Sequence, residues 1–206
     1  YYRWLMMRKR NEGMIKSYQN TIPNLPDKVK TKDFNLIENF DIDKWSSSVS
    51  GSSFYFNDYA EEEEIHHLDG QTIEEAEHQI ATRLYQNNAR VHFNQHIEKS
   101  GRFGKRIIYG GYIISLARAI SCNGLANTFK LAAIHSGKHS APTFAGDTIY
   151  AWSKILEKEV IHKNLGAMMI RTLASKNDSK MNFPDKKNLT DNIVLDLEYS
   201  VLIPIK

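Results

Sequence analysis

Tyr85-Gln-Asn-Asn-Ala-Arg-Val-His-Phe-Asn94, continued by Gly101-Arg-Phe-Gly-Lys-Arg-Ile-Ile-Tyr-Gly-Gly-Tyr-Ile-Ile-Ser-Leu-Ala117, leads from a polar turn into a long apolar run. Ile113, Ile114, Leu116, Ala117 and Ile120 predict a helix that opens at Gly110-Gly111 and is buried on nearly every side. Glycines at a helix opening leave backbone N–H groups uncovered at its positive end. His92 stands shortly before them. A proton carrier and oxyanion donors beside one apolar cavity are the combination that acyl thioester chemistry needs, so this is read as the active-site segment. Taken alone, His92 is either that proton carrier or a structural imidazole.

Upstream, Thr72 and Glu75 have the spacing of a capping box, and Ile73, Ala76, Ile80 and Leu84 follow at helical intervals, which predicts a helix over 73–84. Ile65 to Gly70 reads as a short strand and turn, behind the solvated run Glu61 to Glu64. Between residues 11 and 55 the periodicity fails. Pro23 and Pro26 lie among Lys and Asp, and Ser46-Ser-Ser-Val-Ser-Gly-Ser-Ser53 is low in complexity. A linker this long either joins two folded units or wraps across one surface, with Phe34, Phe40 and Trp45 to tack it down. Tyr1 to Arg10 reads as a strand ending in a basic cluster, and its plan resembles that of Val194 to Lys206. The strand lacks a nearby partner and the chain opens without Met, so residues are expected to precede it.

Downstream come four strand-like runs, Phe129 to His135, Thr148 to Val160, Gly166 to Ala174 and Ile193 to Ile205, with a reversal at Pro142 to Asp147. One long helix followed by several long strands predicts an α+β domain over 56–206, an antiparallel sheet wrapped around that helix.

A chain of 206 residues can bury a core without staples. Its 27 Lys and Arg against 24 Asp and Glu are dispersed along the chain, which argues against a nucleic-acid footprint. Cys122 is the only cysteine, so an intramolecular disulfide is excluded and a reducing, cytoplasmic setting is expected. No apolar run approaches the roughly 18 residues of a membrane span. His92 and His96 are spaced as helical metal ligands can be, but no third ligand accompanies them and no metal is expected.

The residues resemble the MaoC-like hotdog hydratases. Val91-His92, Arg102-Phe-Gly, Ile107-Ile-Tyr-Gly-Gly111 and Phe144-Ala-Gly-Asp147 fall in that family's order and spacing, and the likeness covers roughly residues 56–206. Glu75 to Asn87, Ala89-Arg-Val-His-Phe93 and Phe144-Ala-Gly-Asp-Thr-Ile-Tyr-Ala-Trp-Ser153 are most similar to the subgroup acting on a branched dicarboxylyl-CoA. The resemblance implies a hotdog fold and, in this subgroup, two hotdog repeats in one chain. Residues 1–10 would close the first repeat, 11–55 would be the linker and 56–206 the second repeat, completed by the missing N-terminal repeat or a second hotdog subunit in an oligomer.

The family's water-holding Asp and His map onto Asn87 and His92, and its oxyanion donor onto Gly110 or Gly111. An Asn can orient water but cannot take its proton, so His92 is the sole base or the mechanism departs from the family's. Tyr109 is a further donor and Tyr85 lines the substrate. Arg90 is placed to pair with a second carboxylate, whereas Arg102, Lys105, Arg106 and Lys138 either meet the phosphates of coenzyme A or are simply solvated. No cofactor beyond the substrate's own coenzyme A is implied. His66, His67, His78, His135, His139 and His162 are read as surface or network residues and Cys122 as core. Three functions stay open: a dicarboxylyl-CoA hydro-lyase, a hotdog enzyme on other acyl thioesters, and a non-catalytic acyl-CoA-binding half.

Overall fold

The strand-like runs pair into one sheet. The structure, a computed structural model, describes residues 26–36, 40–180, 183–184 and 189–206; the strand expected over Tyr1–Arg10 and the linker before residue 26 lie outside them. In chain order the main elements are β1 (Glu64–Thr72), α1 (Glu75–Leu84), α2 (Gly110–Ile120), β2 (Lys130–Lys138), β3 (Thr148–His162), β4 (Leu165–Lys176) and β5 (Ile193–Pro204). The sheet order is β1-β3-β4-β5-β2, every neighbouring pair antiparallel. The reversal before β3 is made by Gly146 at φ +91° and by Asp147, whose Oδ2 accepts the Phe144 N–H at 2.9 Å.

α2 lies in the curl of this sheet, which is the hotdog arrangement. Ile113, Leu116 and Ala117 pack against Ile155, Met168, Ile170, Leu197, Tyr199 and Val201. Burying each large apolar side chain here is worth about 1.5–3 kcal/mol, so α2 is held by its sheet-facing stripe. The same inner face carries a buried polar chain, His67 Nε2 to Ser153 Oγ (2.8 Å), Ser153 Oγ to Thr172 Oγ1 (2.7 Å) and Thr172 Oγ1 to the Tyr199 hydroxyl (2.9 Å).

Cys122, expected in the core, is exposed just past the end of α2, and three further expectations are corrected. The helix α2 is not enclosed all round: Ser115 and Ala119 are exposed and Gly111, Tyr112 and Arg118 half-buried, because the sheet covers only one side. The capping box is absent, since Thr72 ends β1 and shares a hydrogen bond of 2.8 Å with Thr148 across the ladder, so α1 begins at Glu75 after an N-cap Glu74 with no side-chain cap. And α1 does not bury the stripe that its apolar spacing suggested. Ile80 and Leu84 are 58% and 74% exposed, while His78, Ala81 and Thr82 face inward. The segment opposite α1 presents backbone polar groups, and a polar stripe answers them better than an apolar one.

The described part of the linker wraps across the outer face of the sheet. Phe34 is buried with Leu165, Ala167 and Leu202, the Val29 N–H donates to His135 Nδ1 at 3.1 Å, and Lys28 pairs with Glu157. Phe40 stacks on Phe129 at 5.1 Å, and Trp45 gives its indole N–H to Asn127 Oδ1 at 3.0 Å.

Candidate active site

The polar turn is anchored at both ends. The Asn87 N–H bonds the Thr82 carbonyl at 2.9 Å as α1 ends, and its Oδ1 accepts the Ala89 N–H at 2.8 Å, an Asx turn that starts the 3-10 turn Arg90–His92. Asn87 therefore shapes the loop with its oxygen, and its amide nitrogen has no hydrogen-bond partner among the described residues.

His92 is half-buried, with Nδ1 2.9 Å from the Ile107 carbonyl. A carbonyl only accepts, so Nδ1 carries the proton and Nε2 keeps its lone pair. Burial pushes the His92 pKa below the ordinary histidine value, against the opposing pull of the Ile107 hydrogen bond and of Glu98. The side chain is a neutral base at neutral pH.

Beside it is the mouth of α2. Gly110 and Gly111 are its first two residues, whose N–H groups have no intrahelical acceptor, and no other described residue takes them. The His139 ring walls one side and the Tyr109 ring folds over Gly111; Cβ atoms added at Gly110 and Gly111 would each lie 2.6 Å from those rings. The Tyr109 ring also stands 5.6 Å from His92 and 6.3 Å from Tyr85, whose hydroxyl is 3.4 Å from Ser115 Oγ. His92, Tyr109, Gly110, Gly111 and Tyr85 thus gather at one end of α2.

The expected cations are exposed or already engaged. Arg90, Arg102 and Lys138 are exposed, and Arg102 lies 5.1 Å over the Phe103 ring while Lys105 lies 4.3 Å over Phe144. Arg106 is already paired, its Nη2 2.7 Å from Glu75 Oε1, and so ties the loop to α1.

Two residues at the site were read in the sequence as network histidines. His78 is buried, and its Nε2 accepts the Tyr109 N–H at 2.8 Å; its ring meets those of Tyr112 and His92 edge-on at 5.8 and 6.5 Å. Burial first, then His92 and Arg106, lowers its pKa to about 4. Its Nε2 is committed to Tyr109, which leaves the Nε2 of His92 as the open base. His139 is the second. No sequence signal marked His78, whose inward facing is set by backbone groups opposite α1, and nothing in the sequence distinguished His139.

No family model matches the chain. It is 49% identical, over 99% of its length, to beta-methylmalyl-CoA dehydratase of Chloroflexus aurantiacus, and 40% identical, over 99%, to mesaconyl-CoA hydratase of Cereibacter sphaeroides. The chain spans 59% of the length of each. A MaoC domain protein dehydratase of Chloroflexus aurantiacus superposes with a TM-score of 0.89 at 48% identity, covering 97% of this chain and 58% of that one. A Mycobacterium tuberculosis protein described as a double hotdog fold superposes with a TM-score of 0.56 at 25% identity, over 77% of this chain and 44% of that one. An antiparallel sheet curled around α2, with a Tyr-Gly-Gly mouth beside His92, gives the chain a hotdog fold, and over nearly every residue it is similar to a MaoC domain protein dehydratase.

Proposed function

We propose that the protein is a hydro-lyase that adds water to, or removes it from, the double bond of an enoyl-CoA thioester, with mesaconyl-CoA and beta-methylmalyl-CoA as the pair. The observation that carries this is the pairing of the open His92 Nε2 with the uncovered Gly110 and Gly111 N–H groups, together with the reactions named for the two relatives.

In the hydration direction, the thioester oxygen accepts from Gly110 and Gly111. Water gives a proton to His92 Nε2 as its oxygen bonds the carbon β to the thioester. The π electrons move toward the thioester oxygen, where one such donor is worth about 3 kcal/mol, and His92 returns the proton to the α carbon. Asn87 orients water through its amide nitrogen and leaves His92 the only base. Tyr85 and Tyr109 line the acyl group, and Arg90, two residues before His92, meets the second carboxylate. Arg102 and Lys138 are the free candidates for the coenzyme A phosphates. The chemistry calls for no cofactor beyond the coenzyme A of the substrate.

A second hotdog unit completes the site, as another part of the same polypeptide or as another subunit. Exposed Ile80, Leu84 and Tyr85 beside the site, and Leu131 and Ile134 on the edge strand β2, supply apolar surface for it. No helix among the described residues is long and apolar enough to cross a membrane, and a cytoplasmic location fits coenzyme A chemistry and the lone Cys122.

The test is loss of enoyl-thioester absorbance with mesaconyl-CoA and, separately, crotonyl-CoA, alongside His92→Ala and Arg90→Met. His92-dependent turnover of mesaconyl-CoA, with Arg90→Met harming it far more than crotonyl-CoA, is expected. Turnover of crotonyl-CoA alone would make the protein a general enoyl-CoA hydratase, and binding without turnover of either would make it an acyl-CoA-binding half.

A further inference from the structure

Four positions within the first five residues of α1 reach the two halves of the site. Glu75 pairs with Arg106 at 2.7 Å and Glu77 Oε2 accepts the Tyr112 hydroxyl at 3.2 Å. His78 Nε2 accepts the Tyr109 N–H at 2.8 Å, and Gln79 Nε2 donates to the His92 carbonyl at 3.0 Å. The last two bonds matter most, because one holds the peptide that opens α2 and the other the residue that carries the base. They come from adjacent residues of a single rigid helix.

We propose that His78 and Gln79 are positioning residues that fix the separation between the base and the thioester-oxygen donors. The inference rests on the roles given above to His92, Gly110 and Gly111. His78 acts as an acceptor in neutral form: the Tyr109 N–H can only donate, so Nε2 must hold a lone pair, and occupying that N–H leaves the next two as the open donors. The Glu75–Arg106 pair has a solvent-exposed carboxylate, and Glu77–Tyr112 is a rim contact; His78, 2% exposed, is where the geometry is set. The charged and titratable groups facing His78 are His92, Arg106 and Glu75, with Tyr112 against its ring.

A packing role and an acceptor role predict opposite rankings. A buried site that only needs filling prefers Leu to Gln, whereas a site that must accept the Tyr109 N–H prefers Gln. In the full-length protein, His78→Leu is expected to lower kcat on the order of a hundredfold with KM nearly unchanged, as for a misplacement of about 1 Å. His78→Gln should recover most of that loss, and Gln79→Leu should lower kcat likewise. Amide hydrogen exchange at Tyr109 is read in parallel, without substrate; it should accelerate in His78→Leu and stay slow in His78→Gln. Equal kcat in the Leu and Gln variants, or slow Tyr109 exchange in His78→Leu, overturns the proposal. Fast exchange in His78→Leu from a wild-type protein without hydratase activity would retain the positioning bond and refute the hydratase reading instead.

Discussion

The imidazole of His139 lies so close to Gly110 that a Cβ at that position would stand 2.6 Å from Nε2. Real Cβ atoms do not approach so closely, so the ring wall and the glycine at the mouth of α2 require each other. Gly110→Ala should therefore displace the mouth and, on the proposed function, lower hydration of mesaconyl-CoA by about tenfold to a hundredfold, with the circular dichroism spectrum unchanged. Gly110→Ala combined with His139→Ala restores the room and should regain part of the loss; a double variant no better than the single would show that the contact is not the cause.

On the proposed function, the acid limb of activity should follow from His92. Burial lowers its pKa, and the proposed catalysis needs Nε2 unprotonated, so activity should persist below the ordinary histidine value of 6.5 and decline only as pH falls through the lowered one. A plot of kcat/KM against pH should place that midpoint below 6.5, and His92→Ala should cost a hundredfold or more on the order expected of a general base. A midpoint above 6.5 would point to a carboxylate partner for His92 and against the neutral base.

Stability should fall on acidification for a related reason. His67, His78 and His92 all have folded-state pKa values lowered chiefly by burial, that of His78 to about 4. The unfolded chain thus binds more protons between about pH 4 and 6.5, and stability is full above 6.5 and lost progressively as pH falls through that window. Urea midpoints at pH 7.5, 6.0 and 5.0 should decrease in that order, and the slope should lessen in His78→Gln.

On the outer face, Arg171 and Asp196 form a two-pronged ion pair, Nε to Oδ1 and Nη2 to Oδ2, each 2.9 Å, with side chains 6% and 13% exposed. Asp196→Ala leaves a buried guanidinium facing β5 without its carboxylate and should cost about 3–5 kcal/mol in urea unfolding. Removing both charges, as Arg171→Met with Asp196→Leu, should cost much less.

The sheet was legible because β3, β4 and β5 are long runs of apolar and β-branched residues, and every strand end falls within two residues of expectation except the end of β2, which runs on past His135 to Lys138. The α2 opening was legible because Gly-Gly before an apolar period has few other uses. Helix α1 was misread in its facing. Apolar periodicity assigns a core side by hydrophobicity alone, and at α1 the decisive demand came from the Tyr109 N–H and the His92 carbonyl, groups identical in every sequence. Thr72 looked like a cap because local spacing cannot reveal Thr148 across the ladder. The convergence of His92 on the α2 mouth followed from the family's order of motifs; that Asn87 would turn its oxygen into an Asx turn, and that Arg106 would be spent on Glu75, required the fold.

The linker across the outer face also bears on the order in which the molecule assembles. Its anchors, Glu157 and Glu159 on β3, His135 on β2, and Leu165, Ala167 and Leu202 on β4 and β5, are spread over four strands, and its hydrogen bonds to the first three span 106 to 129 residues of sequence. Such a surface does not exist until those strands are aligned, and closing so long a loop gains nothing before then. The segment is expected to dock as a latch after the sheet has formed, and its contacts should govern how long the folded protein lasts before opening more than how fast it folds.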